Sequence, residues 1–548
     1  MRRLLRPVVL LLLCGAGMAA HGEPPAANGS ADPLRKFFQI YRYLDRFHVD
    51  EVDGDALVEG AVAGMLERLD PHSAYIGAEE MENVDASFDG EFSGIGVEFN
   101  ILRDTIIVVN TIAGGPAERA GMRPDDRIVR IDTLDAVGFS RAQVPKYLRG
   151  KRGTKVALDV VRRGIPARLH FVVERDRIPL NTVDAAYLAA DGTGYIKVNR
   201  FGRTTMREFR EAYASLGKPR ALLLDLRGNG GGLLDQAVEM AGFFLPRGAT
   251  IVSTEGRAVA AMTHTAPADG EGLGCRLAVL LDEASASASE IVAGAVQDWD
   301  CGVLVGRPSF GKGLVQRQVR LDDGSALRVT VARYHTPSGR VIQRPYENGR
   351  RREYYLDHLR RYDDAVRDSL DAGTPVYRTC RTGRLVRGGG GIRPDVTVAV
   401  DTTGYSSYYA DLIRCGVVND YAIAYLERER ARLAAAYPTE EVFRERYEVD
   451  DAMLRGLVEA GEKQGVAFDE AGFARSVPRM RVQLAALVAQ RLFGIGAYYR
   501  TVNEAAAESG AYKEALALLR DWERRAVPIL EGKTNGGSGN VRSDEKRR

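Results

Sequence analysis

The sequence predicts a multidomain α/β protein: an N-terminal helical module, a β-rich domain, an α/β core and a C-terminal helical region. Three observations predict it. Apolar residues recur at three- and four-residue intervals near both ends of the chain, the period of an amphipathic helix. Short β-branched runs broken by glycine turns fill residues 84–176. From 177 to 400, continuous apolar runs of strand length alternate with helical patterns, as in a parallel sheet covered on both faces. A length of 548 residues accommodates such a set.

Composition excludes some function classes. Hydrophobic residues make up 45% and charged residues 27%, ordinary for globular protein. The net charge is +2, and no basic stripe is interleaved with aromatics, so nucleic acid is not an expected partner.

Residues 1–20 read as a secretory signal. Arg2, Arg3 and Arg6 form the basic start, Val8 to Leu13 the apolar stretch, and Gly17 to Ala20 the small-residue cleavage region. The apolar run is too short to span a bilayer. Leu11-Leu12-Leu13 before Cys14 lack the small residues of a lipidation site, so lipoprotein anchoring is the weaker reading. The expected location is outside the cytoplasm, in a bacterial periplasm. No transmembrane span is expected, and oligomerisation stays open.

Residues 32–82 form the helical module. Phe37, Ile40, Tyr41, Leu44 and Phe47 share one face, as do Leu57, Ala61, Met65 and Leu69. Asp70-Pro71-His72-Ser73 is expected to end the second helix, because the residue before proline avoids helical backbone. No chemistry is expected of this module.

Residues 84–176 are β-rich. The run Phe92-Ser93-Gly94-Ile95-Gly96-Val97 is a glycine turn entering a strand, and PAERAG (116–121) with DDRIVRID (125–132) is a short helix, a glycine stop and a further strand. This segment resembles a PDZ domain. The resemblance implies that a peptide C-terminus adds as a strand, its carboxylate held by backbone N–H groups of Gly94, Ile95, Gly96 and Val97.

In the core (177–400), the apolar strand Ala221 to Leu226 leads into the glycine-rich loop Arg227 to Gly232 and then a helix. Further runs at 277–281 and 303–305 flank a helix expected over 287–298. Sites in such sheets lie beyond the carboxyl ends of the strands, where the glycine loop and Ser287 both fall. Residues 346–390, rich in Arg and Tyr, read as a solvated insertion. Residues 401–530 read as a C-terminal helical domain and 531–548 as a disordered tail.

The chemistry centres on Ser287 in SASASE and Lys312 in SFGKGLVQ, with no histidine between them. A serine hydroxyl is a weak nucleophile until a base takes its proton. A buried lysine can be that base, because desolvation lowers its pKa. Ser287 would head a helix, whose N–H groups favour developing negative charge. Gln316, four residues after Lys312, would share its face on a helical turn and orient its nitrogen. The Gly230-Gly231-Gly232 loop offers oxyanion donors. GRPSFGKG nearly spells a phosphate-binding loop, but the hydroxyl residue after the lysine is missing and a strand-like LVQRQVRL follows. His335 is the one alternative base considered, and a lone histidine near a strand end is more often structural.

DLRGNGGG, LLDEASASASEIVAGAVQD, GRPSFGKGLVQ, YHTPSGRVIQ and GGGGIRPDV, together with the PDZ-like segment, resemble the C-terminal processing (tail-specific) serine proteases over about residues 34–400. The resemblance implies an endopeptidase with Ser287 as nucleophile, Lys312 as general base and Gln316 orienting the lysine. Oxyanion donors would be the N–H groups of Gly231 and Ala288. It implies protein or peptide substrates with free apolar C-termini, and neither cofactor nor metal. Asp298 matches a motif position, where a structural role is expected. His335 departs from the tyrosine usual there, and the 346–390 insertion is a second departure. The competing reading is a PDZ-containing scaffold without turnover, against which the retention of serine, lysine and glutamine argues.

Four cysteines follow the signal: Cys275, Cys301, Cys380 and Cys415. Cys275 and Cys301 each precede a strand, and an oxidising compartment would permit a bridge between them. Their spacing fits no zinc pattern.

Overall fold

The computed structural model describes residues 32–112, 114–360, 373–505 and 510–533. The expected signal segment with Cys14, and the tail from 534 onward, lie outside the described residues. The chain divides into a unit up to Gly64 and a second from Met65 onward.

The first unit holds α1 (Pro33–Phe47) and most of α2 (Gly54–Glu67). Asp32 caps α1, its carboxylate accepting from Leu34 N at 3.1 Å. The second unit opens on a turn at Asp70 to Ser73, then β1 (Ala74–Ile76) and α3 (Ala78–Asp89). The turn does not cap α2, which ends at Glu67.

The PDZ-like segment contains β2 (Glu91–Gly94), β3 (Val97–Leu102), β4 (Thr105–Thr111), α4 (Pro116–Arg119), β5 (Arg127–Ile131), β6 (Leu134–Asp135), α5 (Gln143–Leu148), β7 (Lys155–Val161), β8 (Leu169–Glu174) and β9 (Asp176–Pro179). Its main sheet runs β3-β4-β5-β7-β8, with β3 at an edge, and β2 pairs with β9. Alternation sets two faces. Ile106 and Val108 enter the domain's own core, whereas Leu102 and Ile107 face outward and pack on Ile423 of the C-terminal region.

The core follows: β10 (Val183–Leu188), β11 (Gly194–Val198), α6 (Thr205–Ser215), β12 (Ala221–Asp225), α7 (Leu234–Gly242), β13 (Thr250–Glu255), β14 (Met262–Thr265), β15 (Arg276–Leu281), α8 (Ala288–Asp298), β16 (Val303–Gly306), β17 (Leu314–Arg320) and β18 (Ala326–His335). Then come α9 (Arg351–Arg360), β19 (Val376–Arg378), β20 (Leu385–Arg387) and β21 (Val396–Thr397). One sheet has the order β10-β11-β12-β15-β16-β21, parallel from β11 onward. A second has the order β1-β18-β13-β14, with β17 also on β18.

The continuous apolar strands have the expected cause. Leu222, Leu224, Leu277, Val279 and Leu304 point to a cluster containing residues of α6, α7 and α8. Leu223, Ala278, Leu280, Val303 and Val305 point to the opposite face. Each fully buried aliphatic side chain contributes about 1.5–3 kcal/mol.

The second face is covered from the C-terminal region. The C-terminal helices are α10 (Ser407–Arg414), α11 (Val417–Ala436), α12 (Glu440–Arg446), α13 (Asp451–Lys463), α14 (Glu470–Phe493), α15 (Ile495–Glu504), α16 (Gly510–Arg520), α17 (Trp522–Arg525) and α18 (Val527–Leu530). The helices from α10 to α14 build a core of their own. Tyr512, Ala515, Leu518, Leu519, Ala526 and Leu530 instead cover the central sheet. The C-terminal helices therefore contribute to two cores.

α11 also docks the PDZ-like segment. The Glu427 carboxylate accepts two hydrogen bonds from Arg127, at 3.0 and 3.1 Å. Arg430 reaches Asp125 at 2.9 Å, and Asn100 donates to Asp420 at 3.2 Å.

The insertion is not simply a solvated excursion. Tyr354 of α9 is 4% exposed, and Arg384 reaches the buried Asp300 and Asp395. Cys275 and Cys301 are both free. Their strands are adjacent, and both cysteine side chains pack against the same core cluster. Cys275 Sγ lies instead 3.5 Å from Pro219 O, and Cys301 Sγ 3.5 Å from Val296 O. The described residues contain no helix long and apolar enough to cross a membrane.

Candidate active site

Ser287 stands at the start of α8, on the turn that leaves the carboxyl end of β15. Its φ of 55° lies in the left-handed region, which costs a non-glycine residue of order 1–3 kcal/mol and persists only where surroundings fix it. The fixing groups are visible. Asp282 Oδ1 accepts from Gly228 N at 2.8 Å and from Ser285 N at 3.1 Å. Ser285 Oγ donates to Leu226 O at 2.9 Å, and Ser289 Oγ to Asn229 O at 2.8 Å. The serine turn is thereby stitched to the glycine-rich loop.

Gly231 sits against the serine. Its φ is +99°, and a Cβ there would come within 2.8 Å of Ser287 Cβ and 2.9 Å of Ala288 N. Its own N–H, however, donates to Asn229 Oδ1 at 2.9 Å. The expected oxyanion donor is thus engaged by an Asn side-chain turn, which the glycine run alone does not reveal. Ala288 N, at the first turn of α8, donates to no described group.

Lys312 lies in the loop between β16 and β17. Its ammonium donates to Gln316 Oε1 at 2.8 Å. No helical turn brings them together: Lys312 lies in the loop just before β17, and Gln316 belongs to β17, beyond a bulge between Val315 and Gln316. Burial, and then the charge of Arg328, depress the lysine pKa, while Glu290 and Asp70 oppose them. Gln316 Nε2 donates to His72 O at 2.6 Å, so the Asp70–Ser73 turn belongs to this site, contrary to the expectation of a module without chemistry.

Two buried groups join serine to lysine. The Glu290 carboxylate accepts from Ser287 N at 2.8 Å, Lys312 N at 2.9 Å, Gly311 N at 2.7 Å and Ser309 Oγ at 2.5 Å. Its complete burial pushes its carboxyl above the usual value, against these donors. Tyr334 Oη donates toward Lys312 O at 2.7 Å and Ser287 O at 3.1 Å. Neither group was singled out in the sequence. The signal for Glu290 was its place three residues after Ser287, where a capping carboxylate reaches back. Among the described residues, no hydrogen bond joins Ser287 Oγ to Lys312 Nζ.

The remaining expected residues fall elsewhere. His335 bonds Gly339 O at 3.4 Å and has no described bond to Ser287. Asp298 is fully buried against Arg340 at 2.6 Å. Gly94, Ile95, Gly96 and Val97 form the turn from β2 into the edge strand β3, with Gly96 at φ +74°. Ile95 O and Gly96 O accept from Ala117 N and Ile112 N, fixing the turn on the domain. No three His, Cys, Asp or Glu side chains gather as a metal site among the described residues.

The chain matches the model of peptidase family S41 over residues 192–347 and that of the PDZ domain over 107–162. Residues 18–80 match the N-terminal domain of the activating protease CtpB, and residues 408–494 match a family of unknown function. The carboxy-terminal processing protease CtpA of Bacillus subtilis (strain 168) is 33% identical over 326 residues, 59% of this chain and 69% of that protein. A probable CtpA-like serine protease of Staphylococcus aureus (strain N315) is 35% identical over 56% of this chain; the chain spans 62% of that relative's length. Among solved structures, the photosystem II D1 C-terminal processing protease is 25% identical, with 67% of this chain and 93% of that one covered and a TM-score of 0.33. By its match to the S41 model and its similarity to the Bacillus subtilis protease, the chain belongs to peptidase family S41, the carboxy-terminal processing proteases, and is a serine-type peptidase.

Proposed function

We propose that the chain is an exported endopeptidase that selects protein C-termini through its PDZ domain and cuts by a Ser-Lys mechanism. One observation carries the chemical part: a half-buried lysine with a depressed pKa is tied, through Glu290 and Tyr334, to the backbone of a strained serine at a helix start.

In this reading Lys312 in its neutral form takes the Ser287 proton as Oγ attacks the scissile carbonyl. The oxyanion develops beside Ala288 N–H and the glycine loop. Lys312 then gives the proton to the leaving amine, and water releases the acyl group by the same route in reverse. Gln316 Oε1 holds the lysine nitrogen on line. Gly231 could donate to the oxyanion only after exchanging its bond to Asn229. The lack of a Ser287–Lys312 hydrogen bond fits a resting arrangement, since catalytic hydrogen bonds often tighten only with substrate.

Substrate selection rests on the edge strand β3 and the Gly94–Val97 turn. A peptide would pair along β3, with its carboxylate at the turn. Export rests on the signal-like residues 1–20. The experiment is labelling with a fluorophosphonate together with hydrolysis of a peptide bearing a free apolar C-terminus. Labelling at Ser287, lost in Ser287→Ala, supports the reading; a folded wild-type protein that neither labels nor hydrolyses favours a scaffold without turnover.

A further inference from the structure

We propose that His72 is a positioning residue for the lysine base: its carbonyl sets the amide of Gln316, and its imidazole, held by Tyr354, sets the carbonyl. The proposal rests on the Ser287–Lys312–Gln316 reading.

A glutamine amide has one accepting and one donating end. Only the accepting end can serve an ammonium. His72 O, 2.6 Å from Gln316 Nε2, can only accept, so it fixes the donating end and leaves Oε1 for Lys312. A flipped amide would set two donors against each other at Lys312 and two acceptors against each other at His72.

The carbonyl is held from two sides. On one side, Asp70 Oδ1 accepts from His72 N at 2.9 Å and Ser73 N at 3.0 Å. Thr330 Oγ1 donates to the same oxygen at 2.8 Å. Thr330 is the cross-strand partner of Gln316, so the turn is anchored on the strand pair that carries the glutamine. On the other side, His72 Nε2 lies 3.2 Å from Tyr354 Oη, with the rings edge to face at 5.3 Å. Tyr354 Oη accepts from Gln343 Nε2 at 3.2 Å, and Gln343 Oε1 accepts from Gly313 N at 2.9 Å. The contacts form a closed circuit from Lys312 through Gln316, His72, Tyr354 and Gln343 back to Gly313, the residue after the lysine.

The imidazole suits this place because it is uncharged near neutral pH. Burial first, then the charge of Lys312, push its pKa down to about 4, with Arg344 and Arg351 adding to the effect and Asp70 opposing it. A neutral ring leaves the ammonium without a second cation in the circuit.

The test compares kcat and its pH profile for peptide hydrolysis by wild type, Gln316→Ala, His72→Ala, the double variant and Tyr354→Phe. Each is first checked for a native-like melt. Gln316→Ala and His72→Ala should each lower kcat by roughly tenfold or more and move the acid limb to lower pH, because the ammonium loses its acceptor. The double variant should be no worse than Gln316→Ala, since residues acting through one interaction are not additive. Tyr354→Phe, which touches neither Lys312 nor Gln316, should move both readouts the same way by a smaller factor. Wild-type kcat and acid limb in folded His72→Ala, or losses that multiply in the double variant, overturn the proposal. If His72→Ala does not fold, wild-type behaviour of Tyr354→Phe overturns it alone. Full activity in Gln316→Ala removes the lysine-orienting reading itself, and the proposal with it.

Discussion

Lys312 Nζ, in the loop before β17, lies 2.8 Å from Gln316 Oε1 on that strand, with the lysine pKa pulled below its ordinary value by burial and by Arg328. In the proposed mechanism the acting base is the neutral amine, so activity should rise with pH as Lys312 loses its proton. Arg328→Gln removes a nearby cation, which should raise the lysine pKa and move the acid limb to higher pH. A pH–rate series for both proteins checks this; an unmoved limb would place the rate-limiting ionisation elsewhere.

Glu290→Gln should damage both fold and turnover. The carboxylate accepts four hydrogen bonds, and an amide would set its own N–H group against donors on Ser287, Lys312, Gly311 or Ser309. Leaving a buried donor unsatisfied costs about 1–3 kcal/mol. Urea melts should show a loss of that size, and peptide hydrolysis should fall by about 100-fold or more as the serine and lysine backbones part. Wild-type turnover would show that the shared carboxylate does not hold the pair.

His72 makes stability depend on acid. Its folded pKa of about 4 lies below the unfolded value of 6.5, so the unfolded chain binds more protons between the two. The native state's advantage is complete above about pH 6.5 and falls as pH drops toward 4, by on the order of 3 kcal/mol. His72→Phe should flatten that part of the curve. Urea midpoints between pH 7 and 4 measure it, and equal slopes in the two proteins would contradict the buried neutral ring.

Substrates should need a free C-terminus. The Gly94–Val97 turn meets the open edge of β3, where backbone N–H groups suit an anion. Amidating an otherwise identical peptide should raise KM several-fold or more with little change in kcat. Equal cleavage of both peptides would count against selection by the PDZ domain.

Much of this was legible in the sequence, for physical reasons that also mark where legibility ends. Strands such as Ala221–Asp225 read as continuous apolar runs because both faces are buried, and Ser287 fell where a strand hands over to a helix. Gln316 meets Lys312 across the junction of a loop and β17 rather than along the helical turn that the four-residue spacing suggests, and neither the loop nor the bulge before Gln316 is marked in the local pattern. His72 was missed because its contact with Gln316 closes over 244 positions, and local pattern carries no trace of such pairings. The bond from the Gly231 amide to Asn229 is not marked in the glycine run, because its partner is a side chain two residues earlier. The two cysteines precede adjacent strands, yet both thiols are free, since adjacency of strands does not by itself place two side chains in bonding geometry.

The most direct test of the central claim is peptide hydrolysis by folded Ser287→Ala, Lys312→Ala, Lys312→Arg and His335→Ala. A Ser-Lys mechanism predicts that the first three lose essentially all activity, since a guanidinium stays protonated and cannot act as base, while His335→Ala retains it. Appreciable activity in Lys312→Ala, lost instead in His335→Ala, would contradict the account.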